Sequence, residues 1–356
     1  MELNLSIEQY KTLAAQAGEQ VGVCSPFYNA ASRFAGLAGM PLASEITNNL
    51  RTEGVLDVLV NPACSVAYSY TGVDFAFRVA QYTARGGARP PVSVADTDNG
   101  VNIASPAAID VLLEMVEQYI GNSLVVAADV EETITYPEAS AFFSLLDAAR
   151  REQFQALSSG QAMLDNPSPT LEDVSRAADP RVTDLQWLSA MLRETSGIQA
   201  HGPEEIMSGL QSLSDRGWLN LRSDSVEMSP QLNRLHTRLL LVESYSNLQT
   251  ACGTSEQDLQ RMDIWCVRGR GQALLSWSMD DTSITLQSLS PAQWLALVGS
   301  FLKEPLNIFE EVNQEPSAES QQPAGEAGSG EKQCPSCGAA VQGDKKFCTK
   351  CGYSFT

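Results

Sequence analysis

Asp98-Asn99-Gly100-Val101-Asn102-Ile103, followed by Ser105-Pro106, and Asp280-Asp281-Thr282-Ser283-Ile284-Thr285, followed by Ser290-Pro291, are the stretches on which the fold of this 356-residue chain turns. Each reads as a polar turn, then a strand of alternating apolar residues, then a helix start with Ser as N-cap and Pro at the first helical position. The same order occurring twice predicts two halves built alike, each with helices first, a run of antiparallel strands and a closing helix.

Working outward, the first half opens with a helix capped by Ser6, with Gln9 three residues on and Gly18 placed to end it. A second helix is expected over 43–53, then strands near 65–70, 73–81, 92–95 and 101–104, and a helix ending before Gly121. In the second half, Thr183 caps a helix to about Thr195, and another runs from Pro203 to Arg216, stopped by Gly217. Strands are expected at 218–221, 226–228, 263–268, 272–278 and 284–287, before the closing helix. Between the halves, 137–157 reads as one long helix with Phe142, Phe143, Leu145 and Leu146 on its apolar face. The expected class is α+β, with halves at 1–160 and 161–312.

Residues 313–333 are rich in Pro, Ser, Gln, Glu, Gly and Ala. Such a stretch buries too little surface to offset its ordering entropy and is expected to be a disordered linker. Residues 334–356 are then a tethered module.

Composition excludes several function classes. The chain has 23 basic and 43 acidic side chains and a formal charge of −20, which disfavours phosphate backbones and anionic lipid. Only 334–356 are basic, at +2. The start, Met1-Glu2-Leu3-Asn4-Leu5-Ser6, lacks the pattern of a secretory signal, and the apolar runs are too short to span a bilayer. Four of the eight cysteines, Cys24, Cys64, Cys252 and Cys266, are scattered and read as reduced core thiols. A cytoplasmic protein is expected.

The specific chemical signal is Cys334-Pro335-Ser336-Cys337-Gly338 with Cys348-Thr349-Lys350-Cys351-Gly352. Two knuckles at this spacing present four thiolates to one ion and leave no open position for chemistry. One structural zinc ion held by Cys334, Cys337, Cys348 and Cys351 is expected, a rubredoxin-type iron site being the rival. So short a module takes most of its folding energy from the metal. Phe347, Tyr353 and Phe355 are either its small core or a docking face. The segment resembles the short bacterial zinc-ribbon family over these 23 residues.

The stretch 185–230 resembles a winged helix: two helices, then a two-stranded wing around Ser223-Asp224. Its second helix carries Glu204, Glu205 and Asp215 where a DNA reader carries cations, so nucleic-acid binding is not expected. A catalytic set is hard to assemble. His201 and His236 are the only histidines, and both read as structural or solvated. Gly269-Arg270-Gly271 reads as a hairpin turn. Asp129, Glu131 and Glu132 follow an apolar run and read as a charged strand end before a cation site. The five tryptophans, all between 187 and 294, read as core, Trp294 being the one most open to service as an exposed anchor.

In outline, and most of all over 267–302, the body faintly resembles the EspG-type chaperones of type VII secretion. That resemblance implies a cytoplasmic, two-halved protein that holds protein substrates. The expectation is a non-enzymatic adaptor or chaperone-like protein with a protein partner, no membrane contact and a tethered zinc ribbon. The alternative is a winged-helix transcription regulator.

Overall fold

The computed structural model describes residues 1–17, 21–28, 30–42, 44–87, 89–126, 129–307, 331–333 and 340–342. Two compact units divide the chain, Met1–Leu306 and Asn307–Thr356. The first holds a ten-stranded sheet in which both predicted halves join.

Helices α1 (Ile7–Gln16), α2 (Ala30–Arg33), α3 (Ser44–Thr52), α4 (Val55–Val60) and α5 (Ile109–Ile120) belong to the first half. With them come strands β1 (Glu2–Ser6), β2 (Cys64–Gly72), β3 (Ala76–Thr83), β4 (Val92–Thr97) and β5 (Gly100–Ala104). The second half has β6 (Glu131–Thr135), α6 (Tyr136–Ser158), α7 (Leu171–Ala177), α8 (Leu188–Ser196), α9 (Pro203–Asp215) and a small separate sheet of β7 (Leu219–Leu221) and β8 (Val226–Met228). It continues through α10 (Pro230–Leu239), β9 (Val242–Cys252), β10 (Gln260–Gly269), β11 (Leu274–Met279), β12 (Ser283–Leu289) and α11 (Pro291–Lys303).

The sheet order is β1-β5-β4-β3-β2-β9-β10-β11-β12-β6. Read outward from the β2–β9 seam, each half is a four-stranded meander closed at its edge by the strand that opened the half. The opening strand leads straight into a capped helix in both. Ser6 accepts from the Gln9 backbone and Gln9 reaches back, and Thr135 and Glu138 form the same capping box. The pairing Ser6↔Gly100 corresponds to Thr135↔Ser283.

This order corrects several expectations. Residues 131–158, placed in the first half by a boundary at 160, open the second, where α6 is the counterpart of α1. Gly100 answers Ser283, so the two quoted stretches match with a shift of one residue. In a strand that shift exchanges the faces. The strands expected at 218–221 and 226–228 form the small sheet, and the counterpart of β2 is β9. Ser105-Pro106 is a cis peptide and caps nothing: α5 starts at Ile109 after Ala108, with no side-chain cap. Ser290 does cap α11, with Gln293 completing the box. Helix α8 starts at Leu188 instead of after Thr183, because the Asp184 carboxylate accepts from the Gln186 N–H and holds the chain in a turn. Gly18 lies outside the described residues.

Helices α5 and α11 cover one face of the sheet, with Gln81 donating to the Leu302 carbonyl at 2.7 Å. The other face carries two separate apolar cores. Leu5, Leu59, Val92 and Ile103 centre the first, and Phe142, Phe143, Leu210, Trp277 and Leu286 the larger second. Trp294, read as core and weighed as an exposed anchor, is fully buried in α11. Cys24 and Cys266 are buried free thiols, but Cys64 and Cys252 are joined in a disulfide. They face each other across the seam because β2 and β9 pair with Cys64 opposite Cys252.

In the second unit, Glu331–Gln333 pairs antiparallel with Ala340–Gln342. The first three of these residues were expected to end the linker; the rest of 313–330 lies outside the described residues.

Candidate functional site

Three regions carry the chemistry or surface from which a function can be argued. The first is the ribbon. Cys334, Cys337, Cys348 and Cys351 lie outside the described residues, as do Phe347, Tyr353 and Phe355. In sequence, Cys334 and Cys337 lie between the paired strands Glu331–Gln333 and Ala340–Gln342. Bound there, a zinc ion would be held by thiolates alone and supply folding energy.

The second region is the interior of the second half, where both histidines sit. Ser140 Oγ is 2.7 Å from His201 Nδ1, the closest approach to a nucleophile–base pair. The space beside it is about 10 Å3, too small for a substrate. His236 is buried on α10, where desolvation and the Arg150 charge hold its pKa at about 4. Asp147 and Arg150 form a buried ion pair at 2.9 Å. Asp147 accepts from the Leu188 and Ser189 N–H groups and so caps α8, and Arg150 donates to the Leu240 and Gln186 carbonyls. These bonds tie α6 to α8 and α10, a structural task. Burial pushes the Cys266 thiol up, away from the reactive thiolate.

The acidic candidates do not gather. Leu124–Val126 is an exposed irregular stretch, Asp129 is exposed, and Glu131 and Glu132 lie on edge strand β6. Among the described residues no group of three or more His, Cys, Asp or Glu is placed to hold a metal. The Arg270–Gln272 turn links β10 to β11, as expected for a hairpin.

The winged-helix order of helix, helix and two-stranded hairpin is present in α8, α9, β7 and β8. Helix α9 is laid against α6: a Cβ at Gly209 would stand 2.5 Å from the Pro137 carbonyl oxygen. Ser212 donates to Glu138, and Arg216 pairs with Glu138 at 3.1 Å. Although burial alone raises it, these bonds leave the Glu138 carboxyl below its usual value. The face of α9 left in solvent carries Glu204, Glu205, Gln211 and Asp215, the wrong sign for a DNA groove.

The third region is the end of the sheet at the β2–β3 turn. Gly72 N–H donates to the Phe75 carbonyl at 2.8 Å, closing a tight turn with Val73 and Asp74 at its tip. Val73 is 84% exposed and Phe75 40%. Phe75 stacks on Tyr119 of α5 at 5.0 Å, and Phe77 and Tyr70 extend the ring cluster into the sheet. After α5 the chain turns at Gly121 into Leu124 and Val125, 71% and 72% exposed. Sequence reading missed this region because 73–81 reads as one uninterrupted strand. The Val73-Asp74 turn, with Gly72 before it, was the available signal.

A family model described as a zinc-ribbon domain matches residues 333–355. No curated protein matches the chain in sequence. Among solved structures, the chain is similar to the Mycobacterium tuberculosis type VII secretion system chaperone EspG5, seen in complex with a PE25-PPE41 dimer. The likeness is weak, with 11% identity and a TM-score of 0.39, over 85% of this chain and 95% of that one.

Proposed function

We propose that this chain is a non-enzymatic adaptor, chaperone-like in that its body holds a protein partner while the tethered ribbon adds a second contact. The supporting observation is the aromatic turn: Val73 and Phe75 reach solvent on a tight hairpin backed by Tyr119. Exposed apolar groups clustered this way favour a protein contact, because covering them removes apolar surface from water. The reading rests on that surface and not on the weak likeness to EspG5.

Under this reading the ribbon binds one structural zinc ion through Cys334, Cys337, Cys348 and Cys351, and the chain works in the cytoplasm. No helix among the described residues is long and apolar enough to cross a membrane. Two linked contacts raise avidity by a factor on the order of 10² or more over either alone. Truncation at Asn313 is therefore expected to weaken capture without abolishing it.

The test is affinity capture from the native host with the full chain and with a Val73→Ser/Phe75→Ser variant, each checked for an unchanged circular-dichroism spectrum. A partner held by the full chain and released by the variant supports the reading. A partner held equally by both removes the hairpin from it, and a partner held by the isolated ribbon alone reverses the two roles.

A further inference from the structure

Helix α10 carries Arg234 and Arg238 four residues apart, hence on one face. The β10–β11 turn brings Arg270 to the same place. Glycine permits the approach: a Cβ at Gly269 would stand 2.3 Å from the Arg238 carbonyl oxygen, and one at Gly271, where φ is +69°, 2.9 Å from the Arg238 guanidinium. The three arginines line a cavity of about 560 Å3 with Met163, Leu240 and Leu241. Met163 and Leu241 are 46% and 49% exposed.

None of these three arginines makes an ion pair among the described residues. Neighbouring Arg268 does, holding Glu243 at 3.1 Å. A helix C-terminus accounts for a cation in its last turn, as at Arg238. It does not account for Arg270, which comes from a different element. In a chain of charge −20, three unpaired guanidinium groups around one apolar cavity are a local reversal of sign.

We infer that this cavity docks an acidic protein segment with an apolar side chain between its carboxylates. Guanidinium groups match carboxylates in two-pronged hydrogen bonds, and Met163, Leu240 and Leu241 match the apolar side chain. A peptide also fits better than a bare anion. Met163 and Leu241 leave exposed apolar surface in the cavity that a side chain covers and a bare anion does not. The cavity lies at the same end of the sheet as the aromatic turn: Gly72 pairs with Ser244 of β9, whose Val242 pairs with Gly269. The inference deepens the adaptor reading and rests on it, naming the partner's charge.

The test uses the full chain and a fluorescein-labelled peptide with a central Leu-Phe flanked by glutamates, read by fluorescence anisotropy. A control peptide has lysines in place of the glutamates. The net charge of the chain favours the lysine peptide at long range, so tighter binding of the glutamate peptide reports the local cluster. The glutamate peptide is expected to bind saturably and more tightly. Arg234→Gln/Arg238→Gln, and separately Arg270→Gln, are expected to weaken it by about tenfold. Preference for the lysine peptide, or equal binding by the arginine variants, overturns the site. Displacement of the peptide by inorganic phosphate at equal concentration overturns the peptide assignment in favour of a small-anion site. The Val73→Ser/Phe75→Ser variant separates the two readings: a cellular partner held equally by that variant, with peptide binding intact, removes the hairpin and leaves the arginine site standing alone.

Discussion

The two halves of the body share a strand order and differ in what they hang on it. Both run from an edge strand through a capped helix and a meander to a closing helix, and both turn between the second and third meander strands at an Arg-Gly pair, Arg85-Gly86 and Arg270-Gly271. In the first half, the helix before the meander, α4, carries Asp57, ion-paired to Arg89 at 2.5 Å. In the second, α10 carries Arg234 and Arg238, which have no such partner among the described residues. The hairpin tips differ as well. The β2–β3 tip presents Val73 and Phe75, whereas the β9–β10 tip is polar and closed on itself, Asp258 accepting from Thr254 and Ser255. Hydrogen bonds from those groups hold the Asp258 carboxyl well below the usual carboxylate range. A common scaffold thus carries an exposed apolar tip in the first half and a cluster of unpaired arginines in the second.

The largest expected effect lies in the second half. Asp147→Ala strands Arg150 in the larger core and uncaps α8, so denaturant unfolding should show a loss of about 3–5 kcal/mol. A loss below about 1 kcal/mol would show that the ion pair does not hold the second half together.

Next comes the seam where the halves meet. The Cys64–Cys252 bond closes a long loop, with a sequence separation of 188. Cys64→Ala/Cys252→Ala should lower stability by about 2–4 kcal/mol relative to the oxidised chain. Peptide mapping without reductant should recover the linked pair from oxidised protein. Free thiols at both positions in protein alkylated directly in cells of its native host would show that the two strands meet there without the bond.

Acid sensitivity should belong to the second half, which holds both histidines. His236 titrates near 6.5 when unfolded and near 4 when folded, so the unfolded chain binds more protons between these values. The stabilisation is complete above pH 6.5 and is lost as pH falls toward 4. The loss should reach about 2 kcal/mol by roughly pH 5. A His236→Phe variant should lack that part of the pH dependence of Tm, and an identical slope in both proteins would refute the assignment.

The smallest contrast compares matched capping residues. Gln9→Ala removes an exposed bond and should cost about 0.5 kcal/mol. Glu138→Ala also removes the bonds to Ser212 and Arg216 across to α9 and should cost about 2 kcal/mol. Equal effects would mean that α9 gains nothing from its bonds to α6.

Much of the fold was legible where a local group decides it. Ser6 with Gln9, Ser290 with Pro291, and Gly217 after α9 all mark real helix ends. Strand β9 was missed because Ser244, Ser246, Asn247 and Thr250 give it no apolar alternation, yet they are buried in the middle of the sheet. Trp294 looked available on an amphipathic helix, and only the packing of α11 on the sheet covers it. The candidate surfaces were less legible still. Arg234, Arg238 and Arg270 are scattered in sequence, and no spacing rule brings a helix and a distant turn together.

By itself the sequence determined the α+β class, the repeated order of elements and the zinc-ribbon module, because caps, turns and thiol knuckles act within a few residues. Only the tertiary structure decided the pairing of Cys64 with Cys252, the one-residue register between the halves and the gathering of the arginines. These depend on which strands and helices lie side by side, and that is set by burial over the whole sheet.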